Sequence, residues 1–190
     1  MPRTPAANRR RGPAVARRRT RRRWWLLVAA SIGLVAVGML AWRVTARSER
    51  TTAEASVGCS SMEQLSYHVH AHLALYVDGV PRAVPGGIGL RRDCISWLHT
   101  HDATGILHIE APAPHPYTLG QFFSVWGQPL DATHLLDQAA EDQHQLRAYV
   151  NGQLYQGAPE TIPLAAHVDI VLEYGPPFVP PPPFSFPPGS

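Results

Sequence analysis

From Tyr67 to Val77 apolar and polar positions alternate without a break. Tyr67, Val69, Ala71, Leu73, Leu75 and Val77 fall on one side, and His68, His70 and His72 on the other. Successive side chains on a strand point to opposite faces, so this run predicts a strand with one buried face. Asp78-Gly79 then reads as a hairpin turn. Ile95 to His101 and Ile106 to Ala111 are further strand candidates, separated by the four-residue turn Asp102-Ala103-Thr104-Gly105. Leu146 to Val150, Asn151-Gly152 and Gln153 to Gln156 make a second hairpin, and Val168 to Tyr174 a last strand. Thr118 and Gln121 form a capping box that opens a short helix through Phe122, Phe123 and Trp126. The expected class is mainly β: a β-sandwich, or a β-rich α+β domain with one or two short helices.

Two stretches break the period. Trp24 to Trp42 is an uncharged apolar run of nineteen residues. As a helix rising about 1.5 Å per residue it just spans a hydrocarbon core of about 30 Å. Indoles at both ends suit the headgroup layer. The chain is therefore expected to divide into a basic tail (1–23), a transmembrane helix (24–42), a polar linker (43–58), one domain (59–174) and a proline-rich disordered tail (175–190). A cleaved signal peptide is the competing reading, with Ala53-Glu54-Ala55 as its cleavage site. Its apolar core would be shorter, about 7–15 residues.

Charge settles the orientation and narrows the partners. All 17 basic residues are arginine, and ten of them lie between Arg3 and Arg23. Only Arg43, Arg47 and Arg50 follow the run closely, so the positive-inside rule puts the N-terminus in the cytoplasm and the domain outside. The net charge of +3 hides an acidic domain: residues 51–190 hold four arginines against thirteen acids. Nucleic acid is a poor partner for such a surface. The expected partners are the lipid bilayer and a protein docked on the proline-rich tail. Cys59 and Cys94 are the only cysteines, and outside the membrane an even pair suggests a disulfide. Thiolate ligation by Cys94 is the alternative.

The candidate chemistry lies in the histidines. His68, His70 and His72 share one strand face, opposite the apolar one. His99 and His101 share another, and the Asp102–Gly105 turn sets His99 opposite His108, with Glu110 two residues on. If the two faces meet, six imidazoles converge, with Asp102 and Glu110 placed to orient them through their ring N–H groups. An imidazole-rich, thiolate-poor set suits copper or zinc. His115, His134 and His144 read as surface or hydrogen-bonded residues, and His167, sharing a strand face with Asp169 and Glu173, reads either way. A pH-sensing cluster and a hydrogen-bonded polar sheet face are the competing readings.

These residues also carry a resemblance. The stretch from His68 to Leu73, then Asp78-Gly79, then Leu98-His99-Thr100-His101-Asp102-Ala103-Thr104-Gly105-Ile106-Leu107-His108-Ile109-Glu110 resembles a family of uncharacterised bacterial and archaeal proteins. Those have an N-terminal span and one external domain. The likeness continues through Thr118–Phe123 and Val125-Trp126-Gly127 and covers about residues 59–174. It implies that the histidine block and the cysteine pair form one unit, and it names no reaction. Paired strand histidines also look like those of cupins and zinc carbonic anhydrases, without any further motif of either. The final strand, with Leu164 before it, resembles the end of a β-grasp domain.

The expected function is a membrane-tethered, extracytoplasmic metal-binding domain. A metal-dependent hydrolase or oxidoreductase at the same site, its catalytic residues unknown, and a metal-free pH-responsive interaction module are the alternatives.

Overall fold

The structure is a computed structural model and describes residues 57–141 and 143–189. The expected basic tail, the apolar run 24–42 and most of the linker lie outside these residues. Among the described residues no helix is long and apolar enough to cross a membrane.

The fold is β-rich α+β. Its strands are β1 (Cys59–Ser60), β2 (Tyr67–Val77), β3 (Val80–Arg82), β4 (Ile95–Ser96), β5 (Leu98–His99), β6 (Ile106–Ala111), β7 (His134–Leu135), β8 (Gln138–Ala139), β9 (Gln145–Val150), β10 (Gln153–Leu154) and β11 (Asp169–Gly175), with helix α1 at Leu119–Trp126 and a 3-10 turn at Pro159–Thr161. Seven strands make one sheet in the order β10-β9-β11-β2-β6-β5, with β3 also on β2. The sandwich alternative is therefore not realised: helix and loops, rather than a second sheet, cover the buried face. The other strands form two-stranded ribbons, β1-β4 and β7-β8.

β2 is the axis of the sheet. Its first half pairs antiparallel with β6, from Tyr67 opposite Ala111 to His72 opposite Ile106. Its second half pairs parallel with β11, from Asp169 opposite His72 to Tyr174 opposite Val77. Both Asp78-Gly79 and Asn151-Gly152 have positive φ at both residues, which fits two-residue hairpin turns twisted to match their strands.

The core lies on one face. Leu73 and Leu75 of β2, Leu107 and Ile109 of β6, Leu98 of β5 and Ile170 and Leu172 of β11 pack with Leu119, Phe122 and Phe123 of α1. The capping box of α1 is formed, and Gly127 closes the helix in the left-handed conformation. Val57, within the expected linker, is also buried in this core.

The expected strand Ile95 to His101 is broken at Trp97. Up to Ser96 the segment pairs with β1, and from Leu98 it pairs with β6. The Cys59–Cys94 disulfide, which is formed, belongs to the first of these pairings. Trp97 donates its backbone N–H to Gly58 and accepts from Glu110, bridging the two. His101 falls beyond β5, in a bend.

The proline-rich end also departs from expectation. Beyond Gly175, which ends β11, its described residues carry no helix or strand, yet they lie against the outer sheet face. Arg147 sits 3.5 Å over the ring of Phe178, Glu173 accepts the Val179 N–H, and Phe184 stacks on His72 at 3.5 Å. Val171 and Glu173 point to that outer face and are each only 1% exposed. Closing a loop of 35 residues, the disulfide contributes about 3–4 kcal/mol in the chain-entropy model. Chemical denaturation with and without reductant is expected to show a loss of that size, with the folded far-ultraviolet spectrum kept.

Candidate metal centre

The outer face of β2, β5 and β6 carries the histidines, because each strand spends its other face on the core. Register does the rest. His70 stands opposite His108, His68 opposite Glu110, and His99 opposite His108 from the other side. The hairpin alignment expected from the sequence is thus the observed one for His99 and His108.

Four donor atoms form a closed circuit. His68 Nε2 is 3.0 Å from His70 Nε2, and His70 Nε2 is 3.1 Å from His108 Nδ1. His108 Nδ1 is 3.2 Å from Glu110 Oε1, which is 3.1 Å from His68 Nε2. Beside this circuit, His99 Nε2 lies 3.3 Å from His101 Nε2 and 3.8 Å from Glu110 Oε1. Two overlapping groups, His68, His70, His108 and His99, His101, His108, Glu110, each have their ligand atoms within 4.8 Å of one another. His108 belongs to both. Metal–nitrogen bonds of about 2.0–2.1 Å put tetrahedral neighbours about 3.3 Å apart, close to these spacings.

The floor is dry and the rim is wet. His99 is fully buried and Glu110 is 2% exposed, whereas the His68 and His101 side chains are 32% and 42% exposed. His99 Nδ1 lies 2.8 Å from the Ser96 carbonyl, to which it can only donate. Its lone pair is therefore on Nε2, the atom that faces His101 and Glu110. Burial lowers the pKa of His70 and His99, and neighbouring rings lower it further. For His108, burial and the surrounding imidazoles bring it down to about 3. Burial raises the pKa of Glu110. The rings on the floor are thus neutral at pH 7, with lone pairs that no proton blocks. His70 Nδ1 and Glu110 Oε2 are buried without a hydrogen-bond partner.

Two expected members fall outside. His72 lies at the edge, its Nδ1 bonded to Asp169 Oδ1 at 2.7 Å and its ring under Phe184. It belongs to neither group. Asp102 does not support an imidazole. It is exposed and caps its own turn, accepting from the Thr104 N–H at 2.9 Å and from the Thr104 hydroxyl, and those bonds lower its pKa. Glu110, expected to act from behind the ligands, instead stands among them. Cys94 is held in the disulfide and ligates nothing.

Two partners were not legible in the sequence. Glu63 Oε1 lies 3.5 Å from His101 Nε2. It comes from a segment without period, and only the Cys59–Cys94 pairing hints that this segment lies near. Asp169 pairs with His72, across a parallel register of β11 that was not foreseeable. His167 has φ of 57° and gives its backbone N–H to the His70 carbonyl. His134 pairs with Asp131 at 2.8 Å, and His144 lies 3.3 Å from Asp78. Comparison with protein-family models, curated proteins and solved structures finds no match to this chain.

The lowered pKa values fix a pH dependence for the metal-free chain. Unfolded histidines take a proton near pH 6.5, but folded His108 resists until about pH 3. The contribution is complete above 6.5 and is lost as pH falls between those values. His70 and His99 act in the same direction, while Glu110, with its raised pKa, opposes them. The unfolding midpoint of the metal-free chain is expected to fall as pH drops from about 7 to 4. A midpoint that is flat or rises over that window contradicts buried neutral imidazoles.

Proposed function

We propose that this chain is a membrane-tethered protein that holds a copper or zinc ion in its external domain. The observation that carries the reading is the circuit of His68, His70, His108 and Glu110. A ring nitrogen is a donor or an acceptor, never both at once. With a proton on His70 Nε2, one N–H faces two neighbours; without it, one lone pair faces two neighbours. Both neighbours also face the same Glu110 oxygen. No placement of protons on neutral rings gives each of the four contacts its own straight hydrogen bond. One cation among them meets all four atoms through their lone pairs.

The donor set supports the metal class. Imidazole with a single carboxylate, and no thiolate, suits zinc or copper(II). His99, His108 and Glu110 form the fixed part of the site. The exposed His101 and His68 form the part an ion meets first. The external location rests on the arginine asymmetry about the run 24–42. The disulfide supports it, since such bonds persist in oxidising compartments.

The purified full chain is expected to carry copper or zinc near one equivalent or above by elemental analysis. Because His108 belongs to both donor groups, His108→Ala is expected to weaken metal binding by more than the about 10–100-fold that losing an outer hydrogen-bond partner costs. His115→Ala is expected to leave it unchanged. A folded wild-type chain that refuses both ions sinks the reading.

A further inference from the structure

β2 offers His70 two equivalent neighbours. His68 and His72 stand two residues to either side, about 6.6 Å away at Cα on a strand. Only His68 leans toward His70. His72 leans across the parallel ladder to Asp169, which lies opposite it in register. The choice is held in place from several sides. Asp169 is clasped by Asn151, which accepts its N–H at 2.9 Å and gives its own N–H to the Asp169 carbonyl at 2.7 Å. The Phe184 ring lies flat on the His72 ring, centroids 3.5 Å apart and planes 3° from parallel. Phe186 meets Phe184 edge-on at 5.0 Å and rests against His167 at 4.8 Å. On another side Gly105 comes so close that a Cβ there would lie 3.1 Å from His72 Nε2.

We propose that Asp169 and Phe184 are specificity-determining positions that keep His72 out of the metal centre and so limit its ligands. The inference rests on the metal-binding reading above. The proline-rich end acts here as a strap. It runs from Gly175 over Glu173 and Arg147, and its aromatic residues reach the imidazole next to the site. Freed of Phe184 or Asp169, His72 has the same reach toward His70 that His68 uses. It then adds a nitrogen to the coordination sphere. Asp169 and Phe184 touch no metal in this scheme; they act by positioning His72.

The test uses the full chain and copper(II) as the probe, with affinity read by chelator competition and coordination by the nitrogen hyperfine pattern in electron paramagnetic resonance. In the wild type, His72→Ala is expected to change neither. Phe184→Ala and Asp169→Ala are each expected to tighten copper(II) binding about tenfold or more, the scale on which an imidazole's hydrogen-bond partner controls metal affinity. Each is also expected to add one nitrogen to the spectrum. Combining either change with His72→Ala is expected to return both readouts to wild type. A chain ending at Gly175 provides a second variant, with unfolding midpoints confirming that each protein is folded. The proposal is overturned if His72→Ala weakens binding in the wild type. It is equally overturned if folded Phe184→Ala, Asp169→Ala and shortened chains keep wild-type affinity and spectrum. A wild-type chain that binds no copper(II) or zinc removes the underlying reading as well, an outcome distinct from either of these.

Discussion

Everything at this site depends on the register of one strand pair. β2 lies between β6 and β11 and gives one face to the core and the other to imidazoles. Because side chains alternate with a period of two, a slip of one residue would turn Leu73 and Leu75 outward and bury three histidines against Phe122 and Phe123. The packing of α1 on Leu107, Ile109 and Leu172 therefore fixes more than stability. It holds His70 opposite His108 and His68 opposite Glu110. Short turns with left-handed residues, Asp78-Gly79 and Gly105 among them, leave little room for another alignment.

That register creates an electrostatic cost which the site puts to use. Rings held this close and partly out of water resist protonation, His108 most of all. As a set of hydrogen bonds such a cluster is incomplete, since its contacts outnumber the protons that could serve them. It is, however, a preformed set of lone pairs. The Ser96 carbonyl fixes the tautomer of His99, and Glu110 supplies a carboxyl oxygen at the floor. Organisation before binding is what lets a small domain hold an ion without large rearrangement. The same logic runs at the edge, where Asp169 and the aromatic strap satisfy His72 in another way.

Much of this was legible in the residues. Period-two runs located β2, β6 and β11, the capping box located α1, and turn residues placed both hairpins. Segregation of histidine from apolar positions marked six imidazoles, of which five converge and His72 does not. Two of the failures had a common cause: contacts between elements remote in sequence. The parallel pairing of β11 with β2 took His72 away from the cluster, and nothing local to His72 signals it. The ribbon tied by the disulfide brought Glu63 to His101. Asp102 looked placed to orient a ring, but a residue opening a tight turn caps its own backbone first. Proline content suggested a free end, whereas Phe178, Phe184 and Phe186 give that end apolar contacts to make.

The most direct measurement is an X-ray absorption spectrum at the metal edge of the metal-loaded full chain. A shell of nitrogen and oxygen atoms at about 2.0–2.1 Å, with the outer-shell scattering of three or more imidazole rings and no sulfur, is the result expected. A spectrum dominated by oxygen, or one with fewer than two imidazoles, would contradict a centre built on His99, His108 and their neighbours.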